Sequence, residues 1–568
     1  MSNRSLLGIA APALLIAGLA LLPFFNKPFT IDDVTFLLQA QHMLKDPLHP
    51  TAFNMVFHGD PIRLSSGLVS GPVMATLLLP TVMHGGAEWI AHLTQLAMLI
   101  LGILATAALT LRLGLGRVQA GVATLLVCCS PAVLGMASTS MPDVPAMAFG
   151  TLGIERLLSW RQSRGTASGV VSGLGAALAL ALAVLSRPHL LLLLGVGAVL
   201  LIDDARWSAG WRRWPTTLFS GAIVPLGLAL LLLLGFNFVT RDPVAGHHVA
   251  GTTLSRMHLD RVPFNLVSFI SQWVVMFPLA IPWIVIHRKR FFRQRRNRVV
   301  LLLAAALSVV LTPGGWRSWL PLFMPAVALG SAVLVDILGE GWRRQDRTQL
   351  GLGLWLLLAL PAVFYEHLPP KYLVASAPAM AILIARALCR EEGAATELTP
   401  SASHGDGDSD SEGMYAAASA MSDWSWVSVG ISAALGLVLS VLILRADAAL
   451  AEVGRRGGEI AAAEVKRGAT VWMDGDWGFQ WYSMQAGARP MTTGGVLPAP
   501  GDVVVVGLGG GRIEQCAHRT LVASERFGGP GGRVLGEGAG FYSNGFGPLP
   551  WSWGSGELGR VEVWRIEP

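Results

Sequence analysis

Apolar residues run along this chain in blocks of about twenty, parted by short polar turns. That rhythm holds from the first residues to about position 443. Thirteen blocks stand out, near 5–25, 88–111, 118–137, 143–160, 168–186, 188–203, 216–236, 265–286, 299–312, 318–337, 350–365, 372–389 and 424–443. About twenty apolar residues are what a helix needs to cross a bilayer. After position 445 the pattern changes. "ATVWMD", "DVVVVGLG" and "VEVWRI" read as strands, and "ALAEVGRRGGEIAAAEVKRG" and "WGFQWYSMQAG" as helices. The pattern predicts a mainly α, polytopic membrane protein with about thirteen transmembrane helices, followed by a small α/β domain at 445–568.

Between the blocks, two connections are long: 26–87 and 237–264. The first contains amphipathic stretches near 34–44 and 68–82, which suit helices lying along a membrane surface. Residues 391–422, "EEGAATELTPSASHGDGDSDSEGMYAAASAM" in their main part, form an acidic Ser/Gly-rich linker with no core-forming pattern and are expected to be disordered. The organisation predicted is a membrane module over 1–390, the linker 391–422, a last span over 423–444 and the terminal domain. "PFFNKPF" is a poor cleavage site, so the first block is expected to stay as a helix.

Composition agrees. Of 568 residues, 52% are hydrophobic and only 14% charged, where soluble domains carry about 25%. The net charge of +6 does not point to nucleic acid, because the cations sit in short loops: "RLGLGR", "ERLLSWRQSRG", "DDARWSAGWRRW", "HRKRFFRQRRNR" and "GWRRQDR". The turns near 84–88, 138–142 and 312–316 hold no Lys or Arg. This positive-inside pattern puts the N-terminus in the cytoplasm and both long connections, with the terminal domain, on the outer face. The four cysteines have neither disulfide nor zinc spacing. "GLGGG" follows a strand but lacks the rest of a dinucleotide fingerprint.

The candidate chemistry gathers at the outer level. Asp32 and Asp33 follow the first block, in "NKPFTIDDVTF". Asp143 opens the fourth, in "STSMPDVPAMAF". Arg63, Arg187, Arg317 and Lys371 stand at the same depth. Each acid has an ordinary explanation as a solvated loop residue or a helix start, and each cation as a snorkelling side chain. Together, one carboxylate and several cations are what sugar transfer from a lipid phosphate needs: a base for the acceptor hydroxyl and positive charge for the departing phosphate. Asp32 is the expected base, Asp33 and Asp143 the acids that orient it or the acceptor, and the four cations the phosphate ligands. A transporter or flippase for an amphipathic anion, or a non-catalytic scaffold, are the alternatives. Transporters tend to place ionisable groups at the midplane rather than at one face.

These residues resemble the GT-C membrane glycosyltransferases, in particular the group with the protein O-mannosyltransferases and the lipid A aminoarabinose transferase. The acidic pair after the first span, "GDPIRLSSG", "MPDVPAMAF" and "PKYLVASAPAMAIL" stand where that group has its motifs. Asp33 replaces the commoner glutamate, Lys371 the usual arginine, and a double proline near Pro61 is missing. The resemblance covers 1–390 in outline. It implies a GT-C fold and an inverting transfer from a polyprenyl-phosphate sugar to a lipid-linked or protein hydroxyl, at the periplasmic face of a bacterial inner membrane. It implies that the enzyme binds no nucleotide-sugar; no cofactor is expected, with a divalent metal left open. Some members bind a divalent metal, but no compact ligand cluster is visible here.

Overall fold

A computed structural model describes residues 3–67, 71–202, 223–243, 257–312, 314–397 and 409–568. Seven helices among them are long and apolar enough to cross a bilayer: Ser5–Phe24, Glu88–Arg112, Ala167–Ser186, Gly314–Arg343, Arg347–Phe364, Pro370–Cys389 and Asp423–Lys466. Two bent pairs raise the number to nine. Arg117–Cys128 meets Pro131–Ala137 at 62°, and Leu259–Val275 meets Ala280–Ile286 at 65°. Pro131 and Pro278 stand at the two breaks, where a missing N–H interrupts the helical ladder.

The expected thirteen spans therefore overcount by this measure, and the reasons are local. The block at 143–160 is the helix Asp143–Gln162, which is buried along most of its length, Glu155 included. It lies inside the bundle. The block at 188–203 is a 3-10 turn and the ten-residue helix Leu192–Leu201. The block at 299–312 becomes Arg295–Leu311, which opens on Arg295, Arg296 and Arg298. The block at 216–236 appears as Ile223–Val239, with 216–222 outside the described residues.

The acidic segment expected to be disordered is helical at both ends, within Ala377–Glu397 and Ser409–Lys466; 398–408 lie outside the described residues. The apolar part of the second helix, Asp423–Lys466, has 44 residues. At about 1.5 Å per residue it is twice as long as the ~30 Å hydrocarbon layer is thick. It thus serves as the last span and, without a break, as the first helix of the terminal domain.

That domain is built on a five-stranded sheet in the order Arg489–Pro490, Val471–Asp474, Val503–Val506, Gly559–Ile566, Arg519–Phe527. The first three strands are parallel and the last two antiparallel to their neighbours. Its inner face packs Val471, Met473, Val503, Val505 and Val561 against Phe479 and the end of the long helix. The Gly-rich turn after Val506 is closed: Asp474 accepts the N–H groups of Gly511 (2.9 Å) and Ile513 (2.8 Å).

The domain sits directly on the membrane module. The Tyr482 hydroxyl donates to Glu88 and accepts from the Phe29 N–H, each at 2.9 Å. Phe29 meets Trp481 edge-on at 6.0 Å. At Gly478 a Cβ would stand 2.0 Å from the Phe29 carbonyl oxygen, so only glycine permits the approach.

The first long connection is folded. The helix Asp33–Met43 buries Val34, Phe36, Leu37, Gln39 and Ala40, so it packs within the protein rather than floating at an interface. The second amphipathic stretch forms two short helices, Val73–Leu77 and Leu79–Met83. Between them and the first helix, Asn54–Phe57 and Asp60–Arg63 pair as a hairpin. Its two-residue turn is His58–Gly59, at φ 49° and 81°, the left-handed geometry that matches strand twist.

Candidate active site

A cavity of about 320 Å³ opens where these parts meet. Asp32, at the start of the Asp33–Met43 helix, lines it together with Arg187, His367 and Lys371. The hairpin contributes Phe57 and His58, and the terminal domain contributes Trp477, Tyr542 and Phe546. Five non-glycine residues in the described chain have positive φ, and three of them line this cavity: Ile31 (44°), His58 (49°) and Trp477 (60°). For a β-branched residue such as Ile31 this conformation is a true outlier. Backbone strain of about 1–3 kcal/mol per residue survives only where the surroundings enforce it, and it gathers at functional sites.

Two acid–cation pairs organise the membrane side. The Lys371 ammonium donates to Asp32 Oδ2 at 2.8 Å. Lys371 is 4% exposed, while Asp32 keeps 34% of its side chain open to the cavity. Burial pushes the Asp32 carboxyl up, but the Lys371 charge and hydrogen bond outweigh it and hold the group below its ordinary value. Arg187 grips Asp143 with two parallel bonds, Nε to Oδ1 at 2.9 Å and Nη2 to Oδ2 at 2.7 Å. Asp143 opens its helix but caps nothing; its carboxylate serves Arg187 instead. The Arg187 guanidinium also lies 5.1 Å from the centre of the Tyr372 ring. His367 stacks on Tyr372 at 6.4 Å. Burial and the neighbouring cations, Lys371 first, push its pKa down to about 4, with Asp32 opposing, so its ring is neutral near pH 7.

Asp33 points away from the cavity into the protein. It accepts the N–H groups of Thr30 (3.0 Å) and Ser140 (2.7 Å), tying the Asp32 loop to the turn before Asp143. Lys27 and Asp447 complete this buried group. The Lys27 ammonium donates to Asp447 and, at 2.7 Å, to the Ser138 carbonyl. The Tyr542 hydroxyl donates to Asp447 at 2.7 Å. Burial lifts the Asp33 carboxyl to about 7, against the pull of Lys27 and the two N–H groups.

The cavity does not gather every expected residue. Arg63 forms a two-pronged pair with Asp242, at 2.6 and 2.9 Å. Its neighbours Ile62 and Leu64 line the cavity, so strand alternation turns Arg63 to the other side. Arg317 is exposed in the turn Gly314–Trp319 and is not a lining residue. Conversely, sequence reasoning missed His58, His367 and Tyr542 as lining groups. His367, four residues before Lys371 in "EHLPPKYL", is the one that proximity along the chain could have revealed.

Among the described residues, no three His, Cys, Asp or Glu side chains converge as metal ligands. The Lys371 ammonium also occupies the position beside Asp32 that a cation would need. No step below uses a metal.

The helical membrane module, the acid that its first long connection carries into a cation-lined cavity, and the terminal sheet domain beside that cavity together make a GT-C fold, by similarity to solved structures. Within it, residues 83–243 match the family model of the dolichyl-phosphate-mannose-protein mannosyltransferases. This stretch includes Asp143 and Arg187. The structure is similar to that of ArnT from Cupriavidus metallidurans bound to undecaprenyl phosphate, with a TM-score of 0.52, 14% identity, and coverage of 92% of this chain and 97% of that one. It is also similar to the oligosaccharyltransferase of Archaeoglobus fulgidus in complex with zinc and sulfate, with a TM-score of 0.50, 13% identity, and coverage of 85% of this chain. The chain spans 62% of the length of that archaeal protein. No curated protein matches the sequence.

Proposed function

We propose that this protein is a membrane glycosyltransferase that moves a sugar from a polyprenyl-phosphate donor to a hydroxyl acceptor, with inversion at the anomeric carbon. The observation that carries the reading is the Asp32–Lys371 pair at 2.8 Å in a cavity that Arg187 also lines. It joins an acid and two cations where a lipid phosphate could meet an acceptor.

The donor phosphate binds Lys371 and Arg187 through charge-assisted hydrogen bonds. In doing so it draws the Lys371 ammonium away from Asp32. Released from its partner, the half-buried carboxylate becomes a stronger base. The acceptor oxygen then attacks the anomeric carbon on the face opposite the phosphate. The new C–O bond forms as the bond to phosphate oxygen breaks, the hydroxyl proton passes to Asp32, and the polyprenyl phosphate departs as an anion held by the two cations. Asp143 orients Arg187, and Asp33 holds the loop that presents Asp32. Undecaprenyl phosphate in the similar ArnT structure supports a polyprenyl carrier. The arginine-rich loops support placement in a bacterial inner membrane with the cavity on the periplasmic side.

The test is transfer itself. Purified protein is given radiolabelled polyprenyl-phosphate sugars and a membrane extract as acceptor source. Label should move to an acid-stable product with the wild type and not with Asp32→Asn. Passage of the intact donor across sealed vesicles without bond cleavage would instead establish a transporter.

A further inference from the structure

One part of the cavity wall has no role in the proposal so far. It comes from the hairpin tip and the terminal domain, segments some 400 residues apart. His58 Nδ1 lies 3.0 Å from Asp476 Oδ2. The carboxylate holds a proton on Nδ1 and pulls the His58 pKa above its ordinary value, against burial, which leaves Nε2 as the ring's other hydrogen-bonding atom. Asp476 is 3.4 Å from Arg512, which is braced by Asp474 at 2.8 Å. The next residue, Trp477, stands edge-on to His58 at 6.1 Å.

This arrangement is not needed to dock the hairpin. Gln480 already donates to the Val56 carbonyl (2.9 Å), and the Thr493 N–H donates to the Gly59 carbonyl (2.9 Å). The His58 side chain is half exposed while Asp476 is buried, so the imidazole stays open to the cavity on one side. The chain also keeps Trp477 at φ 60°, a left-handed conformation that glycine or asparagine would adopt at less cost than a bulky indole, while His58 at φ 49° is of a residue type that tolerates it. The strained Trp477 backbone keeps an indole beside the imidazole, and Phe57 and the half-exposed Phe546 line the same cavity. Flat aromatic surface next to an oriented hydrogen-bonding imidazole matches a sugar ring, which has apolar C–H faces and an edge of hydroxyl groups.

We propose that His58 and Trp477 form the acceptor subsite and that the acceptor is a carbohydrate: the indole covers a ring face and His58 Nε2 hydrogen-bonds a hydroxyl group. This rests on the transferase reading for its context, but binding can be measured without turnover. The experiment uses the full-length protein in detergent, with His58→Asn, Trp477→Ala and Trp477→Phe; asparagine tolerates the turn geometry. A source-envelope extract is divided into a carbohydrate-bearing fraction and a peptide fraction. Hydrogen exchange over 54–63 and 476–485 is followed with each.

The carbohydrate fraction should protect both segments, with protection lost in Trp477→Ala and restored in Trp477→Phe. In transfer assays the acceptor KM should rise roughly five- to tenfold in His58→Asn and Trp477→Ala, as expected for one lost neutral contact, while the donor KM stays unchanged. The labelled product should resist protease and yield to periodate. Protection by the peptide fraction alone, a protease-sensitive product, or protection that Trp477→Ala leaves intact would each overturn the subsite. Protection without transfer by the wild type would keep the subsite and remove the transferase reading.

Discussion

Asp32→Asn should separate binding from turnover, in a direction that ordinary damage does not produce. In the empty site, the Asp32 carboxylate and an incoming phosphate compete for the Lys371 ammonium, which is 2.8 Å from the acid. Two unit charges 4 Å apart interact by about 4 kcal/mol at an effective dielectric constant of about 20. Asp32 is 34% exposed, so cavity water screens the pair, and we take about 1–2 kcal/mol as the energy at stake. Removing the competing charge should then tighten binding of undecaprenyl phosphate by roughly 5–30-fold. The same variant loses its general base, so transfer should fall by roughly 10²–10⁴-fold. Calorimetry in detergent reads the first quantity and single-turnover transfer the second. A folded Asp32→Asn protein that binds the lipid phosphate more weakly than wild type, or that transfers within tenfold of it, would refute the competition argument.

Other consequences concern stability. Arg187→Met leaves the Asp143 carboxylate buried without its two-pronged partner and should destabilise by about 3–5 kcal/mol, read as a marked fall in thermal midpoint that Asp143→Asn in the same chain partly restores. Asp33 has a folded pKa of about 7, above the unfolded value near 3.9. Its contribution favours folding most at pH below about 4 and is lost as pH rises through about 7; chemical denaturation between pH 5 and 8 should show that slope, and Asp33→Asn should flatten it. His58→Gly removes a non-glycine residue from φ 49° and should leave stability equal or up to about 1 kcal/mol higher, while acceptor use declines. A lower thermal midpoint would show that His58 is structural.

The sequence made the bundle legible because apolar runs report directly on burial in lipid. Its number of spans exceeds the seven to nine helices among the described residues that are long and apolar enough to cross a bilayer, as at Asp143–Gln162, whose charged residues Asp143, Glu155, Arg156 and Arg161 dilute the apolar run. Within the site, Asp32, Lys371, Asp143 and Arg187 were visible as ionisable groups at one depth, and the structure joins them in two pairs. What the sequence does not carry is direction. Arg63 is flanked by cavity residues but alternates away along its strand to Asp242, and Asp33 turns inward on backbone N–H groups while its neighbour Asp32 turns outward. Nor could chain position reveal that Trp477, Tyr542 and Phe546 close the cavity. Their placement depends on a helix that continues from the membrane into the terminal domain, and on a contact at Gly478 that only the folded pair of modules defines.

The most direct test of the central claim is a structure of the full chain with undecaprenyl phosphate bound. The account predicts the phosphate in the cavity, with oxygens about 2.7–3.0 Å from Lys371 Nζ and the Arg187 guanidinium and the Asp32–Lys371 contact lengthened. A lipid phosphate bound elsewhere, with the Asp32–Lys371 pair intact at 2.8 Å, would contradict it.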